Sequence, residues 1–201
     1  MASDGFASGG AGLRSAGQVR AGQVRTGQVR TPAPTFLIGV ISDTHGLLRP
    51  QAVEALRGSH YIIHAGDVGD PAILDTLAEV APVTAIRGNV DHGDWATKLP
   101  ATDVLEVGGV SIYILHNLAD LDLKPEAAGF AAVISGHTHK PKQELKNGVL
   151  YFNPGSAGPR RFNLPVSVGK LIVGWAGEDI LRRAQDRLCP YVGGDVVILD
   201  V

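Results

Sequence analysis

The sequence predicts an α/β domain whose layers are built on two mixed β-sheets, and three observations carry that prediction. Short β-branched apolar runs of strand length recur from Phe36 towards the C-terminus. The early runs alternate with helical stretches that each open on a proline. Later ones flank the turn pairs Gly108-Gly109 and Asn147-Gly148, which mark two-residue hairpins between apolar segments.

In chain order, Phe36 to Ser42 is expected as the first strand, an unbroken apolar run. A helix over Pro50 to Arg57 follows, because a proline at the first turn gives up an N–H that has no intrahelical partner anyway. Tyr61 to Ala65 reads as the second strand, Pro71 to Val80 as the second helix on the same argument, and Val83 to Arg87 as the third strand. Val110 to Leu115 leaves the Gly108-Gly109 turn, and Ala131 to Ser135 is the next strand before the Asn147-Gly148 hairpin. The C-terminal part is strand-rich, over Val166 to Trp175, Ile180 to Arg187 and Val196 to Val201.

With 201 residues, 44% of them hydrophobic and 19% charged, the chain has the composition of one soluble globular domain, which excludes wholesale disorder. Runs such as Phe36 to Ile41 and Val110 to Leu115 fall far short of the roughly 20 apolar residues that span a bilayer, so no membrane partner is expected. Cys189 is the only cysteine and can form no internal disulfide; with no N-terminal apolar core for secretion, the expected location is cytoplasmic.

Residues 1–34 differ from the rest. Ala16-Gly-Gln-Val-Arg20 recurs as Ala21 to Arg25 and Thr26 to Arg30, a period of five that suits neither helix nor strand. One valine per repeat does not offset the chain entropy that the glycines add, so 1–34 is expected to be a disordered low-complexity tail ahead of a domain over 35–201. Deleting 1–34 is therefore expected to leave activity and melting temperature nearly unchanged, and a large loss of either would mean that the tail packs on the domain. Arg14, Arg20, Arg25 and Arg30 against Asp4 give the tail +3, so in a chain of net charge −2 the remainder carries −5. A body of that sign is a poor match for a nucleic-acid polymer and leaves a small anionic substrate bound at a locally positive site.

All five early runs end in polar residues with no place inside a sheet: Asp43-Thr44-His45, Gly66-Asp67, Gly88-Asn89, His116 and Gly136-His137-Thr138-His139. In open α/β sheets ligands lie beyond the carboxyl ends of the strands, where these residues would gather. Residues i and i+2 of an extended segment face the same way, which pairs Asp43 with His45 and His137 with His139. Carboxylate, amide and imidazole donors without thiolate suit manganese, iron, cobalt, nickel or zinc in a catalytic rather than a structural site. Seven donors exceed the needs of one metal and suit two that share a carboxylate about 3.5–4 Å apart around a hydroxide. Two divalent cations less Asp43, Asp67 and that hydroxide leave about one positive charge, which suits a phosphate ester; an aspartate in place of Asn89 would cancel it. Glycines before Asp67, Asn89 and His137 let the chain turn tightly enough to aim each donor.

These motifs, in this order and spacing, resemble the calcineurin-like metallophosphoesterase superfamily, whose pattern is D-x-H, G-D, G-N-[H/C]-[D/E], a later His, and G-H-x-H. Asp43-Thr44-His45-Gly46, His64-Ala65-Gly66-Asp67, Gly88-Asn89-Val90-Asp91 and Asn153-Pro154-Gly155-Ser156 are similar to its small YfcE-like phosphodiesterase branch, from Phe36 to the C-terminus. The resemblance implies an αββα sandwich of two mixed β-sheets flanked by helices, with a dinuclear site at the carboxyl ends of the strands. It implies one metal on Asp43, His45, Asp67 and His139 and another on Asp67, Asn89, His116 and His137, with Asp67 bridging. Val90 stands where many members place a histidine that protonates the leaving group or contacts phosphate, and Asn117-Leu118 follows His116 where small members often have Gly-His.

The expected function is phosphodiester hydrolysis by a metal-bridging hydroxide, with two divalent ions, manganese first and nickel, cobalt, iron or zinc as alternatives. The catalytic residues on this reading are Asn89, His116 and His92, the last a proton donor two residues beyond Val90. The alternatives are a phosphomonoesterase and a non-catalytic scaffold, since a retromer subunit shares the fold with a degraded site. The expected partner is a small phosphate ester, and a homo-oligomer is compatible with the sequence. His64 is expected as a satisfied structural histidine or a partner behind Asp67, His60 at the surface, Asp91 as an orienting residue or loop cap, and Arg160 and Arg161 as a surface pair or a hold on a phosphate oxygen. Asn153 to Ser156 reads as a turn or as a loop flanking the metals. No serine lies in a Gly-x-Ser-x-Gly elbow, and Cys189 reads as an inert small hydrophobe.

Overall fold

The run Phe36–Ile41 becomes strand β1, whose last four residues are all buried, as a strand covered on both faces requires. A computed structural model describes residues 1, 35–175 and 190–201. Apart from Met1, the tail expected over 1–34 lies outside the described residues, as do the strand expected over Ile180 to Arg187 and Cys189.

Helix α1 (Pro50–Leu56) leads from β1 to β2 (Tyr61–His64), and α2 (Ala72–Ala78) leads from β2 to β3 (Val83–Ala85). Both crossovers join parallel neighbours, with Ile38 opposite Tyr61 and Ile62 opposite Val83. Strands β9 (Ser167–Trp175) and β10 (Pro190–Ile198) extend this sheet antiparallel on the far side of β1, in the order β10-β9-β1-β2-β3. The second sheet has the order β4-β5-β6-β8-β7, from β4 (Thr102–Val107), β5 (Val110–Leu115), β6 (Phe130–Ile134), β7 (Lys142–Lys146) and β8 (Val149–Asn153). Its central three strands are parallel, and its edges are the two predicted hairpins. Gly108 and Gly109, and Asn147 and Gly148, all have positive φ, the backbone that a two-residue turn matched to strand twist demands.

The core lies between the sheets, where Ile38, Val40, Ile63 and Ile86 meet Ile112, Ile114, Ile134 and Phe152. Leu56, Ile73 and Leu77 of α1 and α2 cover the outer face of the first sheet against Ile41 and Ile62. A third cluster around Tyr113, Leu115 and Val133 underlies Leu121, Leu123 and Phe130 beside the one-turn helix α3 (Pro125–Ala128). The layers are those of the predicted αββα arrangement. The final strand begins at Pro190 and not near Val196, because Gly193-Gly194 interrupts the apolar pattern in sequence while a Cβ at Gly194 would crowd Leu171 and Phe152.

Candidate metal centre

At the carboxyl ends of β1, β2 and β6 the chain turns through left-handed backbone. Of the seven non-glycine residues with positive φ among the described residues, five are Asp43, His45, Asp67, His137 and His139. Each such residue costs on the order of 1–3 kcal/mol, and this kind of strain collects at functional sites. The expected extended i, i+2 pairing is thereby corrected: left-handed turns aim Asp43 and His45 together but send His137 and His139 to different neighbours.

Backbone ties hold these turns in place. The N–H groups of Asp43, His45 and Gly46 donate to the carbonyls of Gly66, Asp67 and Val68 at 3.0, 2.9 and 2.8 Å, and Gly136 N–H donates to His116 O at 2.9 Å. Two glycines are obligatory for close approach: a Cβ on Gly88 would collide with the Asp67 carboxylate, and one on Gly136 with Ser42 Oγ.

The donors form two overlapping groups. In the first, His139 Nε2 lies 3.2 Å from Asp43 Oδ1 and 3.2 Å from His45 Nε2, and His45 Nε2 is 3.9 Å from both Asp43 Oδ1 and Asp67 Oδ2. In the second, His116 Nε2 is 3.3 Å from Asp67 Oδ2 and 3.1 Å from Asn89 Oδ1, which is itself 3.0 Å from His137 Nδ1. All seven donors expected from the sequence are brought together, and Asp67 Oδ2 is the atom the two groups share.

Each carboxylate spends one oxygen on the protein. Asp43 Oδ2 accepts from Ser42 Oγ at 2.7 Å and His137 N–H at 3.0 Å, while Asp67 Oδ1 accepts from Val90 N–H at 3.0 Å. His116 Nδ1 donates to Ala65 O at 2.8 Å, which orients the ring with Nε2 facing the cluster. The end of β8 and the loop after it brace the site: Asn153 Nδ2 donates to Gly136 O at 2.6 Å and Ser156 Oγ to Asp43 O at 2.9 Å. Asp91 joins two ligand loops, accepting from Gly69 N–H at 2.8 Å and Gly88 N–H at 2.7 Å.

The residues fit divalent cations. Asp43 and Asp67 are 0% and 3% exposed, yet neither is ion-paired with an arginine or lysine among the described residues, and Asp43 Oδ1 accepts no hydrogen bond. Two buried carboxylates facing ring nitrogens and an amide oxygen are costly without cations between them. Burial, chiefly, lowers the His45 pKa despite the opposing pull of Asp67 and Asp43, and neutral imidazole is the form that ligates metal. Burial alone would raise the Asp67 carboxyl, but hydrogen bonds from His116 and Val90 N–H hold it below its ordinary value. The same contact with Asp67 and the Ala65 carbonyl raise His116 against the effect of its burial.

His64 is fully buried and hydrogen-bonds Thr44 Oγ1 at 2.9 Å, the structural one of its two expected roles; Thr44 in turn donates to Val68 O at 2.9 Å. Burial pushes its pKa down to about 4. The unfolded chain takes up this proton near pH 6.5 and the native chain only near pH 4, so stability falls as pH drops between those values, by about 3 kcal/mol in all. Equilibrium unfolding from pH 7 to 4.5 should therefore show a flatter pH dependence in His64→Gln than in the wild type; equal slopes would refute this.

The two arginines separate. Arg161 reaches the cluster, its guanidinium 3.3 Å from His45 Nε2, whereas Arg160 donates to Val201 O at 3.2 Å. His92 is exposed in a cleft of about 330 Å³ that also reaches Asn89, and His60 is exposed, accepting from Leu37 N–H at 3.0 Å. Arg49, which sequence reasoning did not single out, donates weakly to Gly158 O at 3.4 Å and so ties α1 to the bracing loop.

Residues 36–173 match the calcineurin-like phosphoesterase superfamily domain. A probable metallophosphoesterase of Methanocaldococcus jannaschii is 38% identical over 135 residues, covering 61% of this chain and 68% of that protein. Among solved structures, an archaeal phosphodiesterase aligns with a TM-score of 0.59 at 21% identity, over 80% of this chain and 99% of its own. The E. coli phosphoesterase YfcE aligns at 0.51 and 23%, over 77% and 98%. Vacuolar protein sorting 29 of Cryptosporidium parvum aligns at 0.59 and 18%, over 82% and 99%. These three share the fold, and the family match spans more than half of the sequence with all five motifs inside it. The chain belongs to the calcineurin-like phosphoesterase superfamily.

Proposed function

We propose that this chain is a dinuclear metal-dependent phosphodiesterase whose domain spans 35–201. The observation that carries the reading is the Asp67 carboxylate, which faces His45 with the same oxygen that faces His116. Asp43, His45, Asp67 and His139 would hold one divalent cation, and Asp67, Asn89, His116 and His137 the other, manganese being the expected metal. Bound there, the cations supply Lewis-acid polarisation of phosphoryl oxygens and a hydroxide nucleophile at neutral pH.

The chain's own groups orient the substrate. Arg161, beside His45, is placed to hold a phosphoryl oxygen in the planar, bidentate manner of a guanidinium. Asn89 borders two clefts, of about 330 and 270 Å³, one towards Gly93 and Thr97 and the other towards Thr102 and Asn117. Two clefts parting from one point suit the two ester arms of a diester better than the single arm of a monoester. The donor set is complete, which favours an enzyme over a scaffold of the same fold. No helix among the described residues is long and apolar enough to cross a membrane, and the lone cysteine accords with a cytoplasmic location.

The test is hydrolysis of bis-aryl and mono-aryl phosphates by protein stripped with chelator and reloaded with manganese, nickel, cobalt, magnesium or zinc. Activity should vanish on stripping, return on reloading and favour the diester, while the circular dichroism of the stripped protein stays folded because the strands have their own apolar core. Chelator-insensitive hydrolysis would overturn the reading.

A further inference from the structure

Arg87 lies two residues after β3 and two before Asn89, held by a hydrogen bond from its N–H to Pro100 O at 2.9 Å. Its side chain is exposed and lines both clefts that part from Asn89. Among the described residues the guanidinium makes no ion pair and no hydrogen bond, in a domain rich in acidic residues.

The first cleft carries a second basic side chain, exposed His92. Its one carboxylate, Asp91, is 6% exposed, accepts from the backbone N–H groups of Gly69 and Gly88 with its two oxygens and makes no ion pair with Arg87. In the second cleft Asp120 lies with Asn117 beyond His116. The guanidinium of Arg87 and the imidazole of His92 thus line the cleft that one ester arm of whatever lies over Asn89 would enter.

Building on the phosphodiesterase reading, we propose that Arg87 and His92 form a subsite for a second anionic group, a carboxylate or a phosphate, on one arm of the substrate. The planar fork of an arginine matches either oxyanion, and a partly exposed contact of this kind supplies selectivity between substrates.

The test uses the full chain reloaded with manganese and three 4-nitrophenyl diesters whose second arm is phenyl, 4-carboxyphenyl or 4-phosphonooxyphenyl. The wild type should favour one or both anionic arms over phenyl by about fivefold to tenfold in kcat/KM, mostly through KM, and which of the two is favoured distinguishes carboxylate from phosphate. In Arg87→Gln the ratio of anionic to phenyl ester should fall to near one, and Arg87→Lys should restore part of it. A wild-type ratio of one, or a ratio unaltered in Arg87→Gln, overturns the subsite while phenyl ester turnover leaves the phosphodiesterase reading standing. Failure to hydrolyse any of the three overturns both.

Discussion

Asp67→Ala should lose both metal equivalents and lower turnover by roughly 10³-fold, about 4 kcal/mol of transition-state stabilisation. The size follows from the position of one atom: Asp67 Oδ2 is 3.9 Å from His45 Nε2 and 3.3 Å from His116 Nε2, so its removal opens both donor groups. His45→Ala, by contrast, touches only the first group and should weaken mainly one equivalent. Metal content after dialysis, measured beside kcat for both variants, separates the cases. A fully active Asp67→Ala protein would remove the bridge from the account.

The second large effect concerns the leaving group. Val90 occupies the place after Asn89, 38% exposed, and contributes only its backbone N–H, which donates to Asp67 Oδ1. No imidazole protonates a departing alkoxide from there, and the exposed candidate in the adjoining cleft is His92. Aryl diesters should therefore outrun alkyl diesters steeply, since protonation by a positioned side chain typically contributes about 10²–10⁴-fold. Val90→His should recover part of the alkyl rate, and His92→Ala should depress it further while sparing aryl esters if His92 donates. Equal aryl and alkyl rates, unchanged in His92→Ala, would sink this account.

The site was more legible in the sequence than parts of the fold that carry it. Asp43, His45, Asp67, Asn89, His116, His137 and His139 each follow an apolar run, and strand ends on one rim must converge, so composition and order sufficed to name them. Their backbone was not legible: periodicity treats Asp43 to His45 and His137 to His139 as extended, whereas hydrogen bonds to the next strand and close glycine contacts hold those histidines and aspartates at positive φ. Tertiary contact also decided between Arg160 and Arg161, which are equivalent in sequence and opposite in direction. Strand β7 carries exposed side chains throughout and shows no apolar alternation; only the Asn147-Gly148 turn beside it betrays its hairpin. Gly193 and Gly194 hid the start of β10 for the opposite reason, since at Gly194 tight packing against Leu171 and Phe152 excludes a side chain that would have marked it.

Anomalous diffraction from crystals grown with manganese tests the central claim most directly. The account predicts two peaks per chain, one among Asp43, His45 and His139 and the other among Asn89, His116 and His137, with the Asp67 carboxylate between them. A single peak, or manganese bound away from these residues, would contradict it.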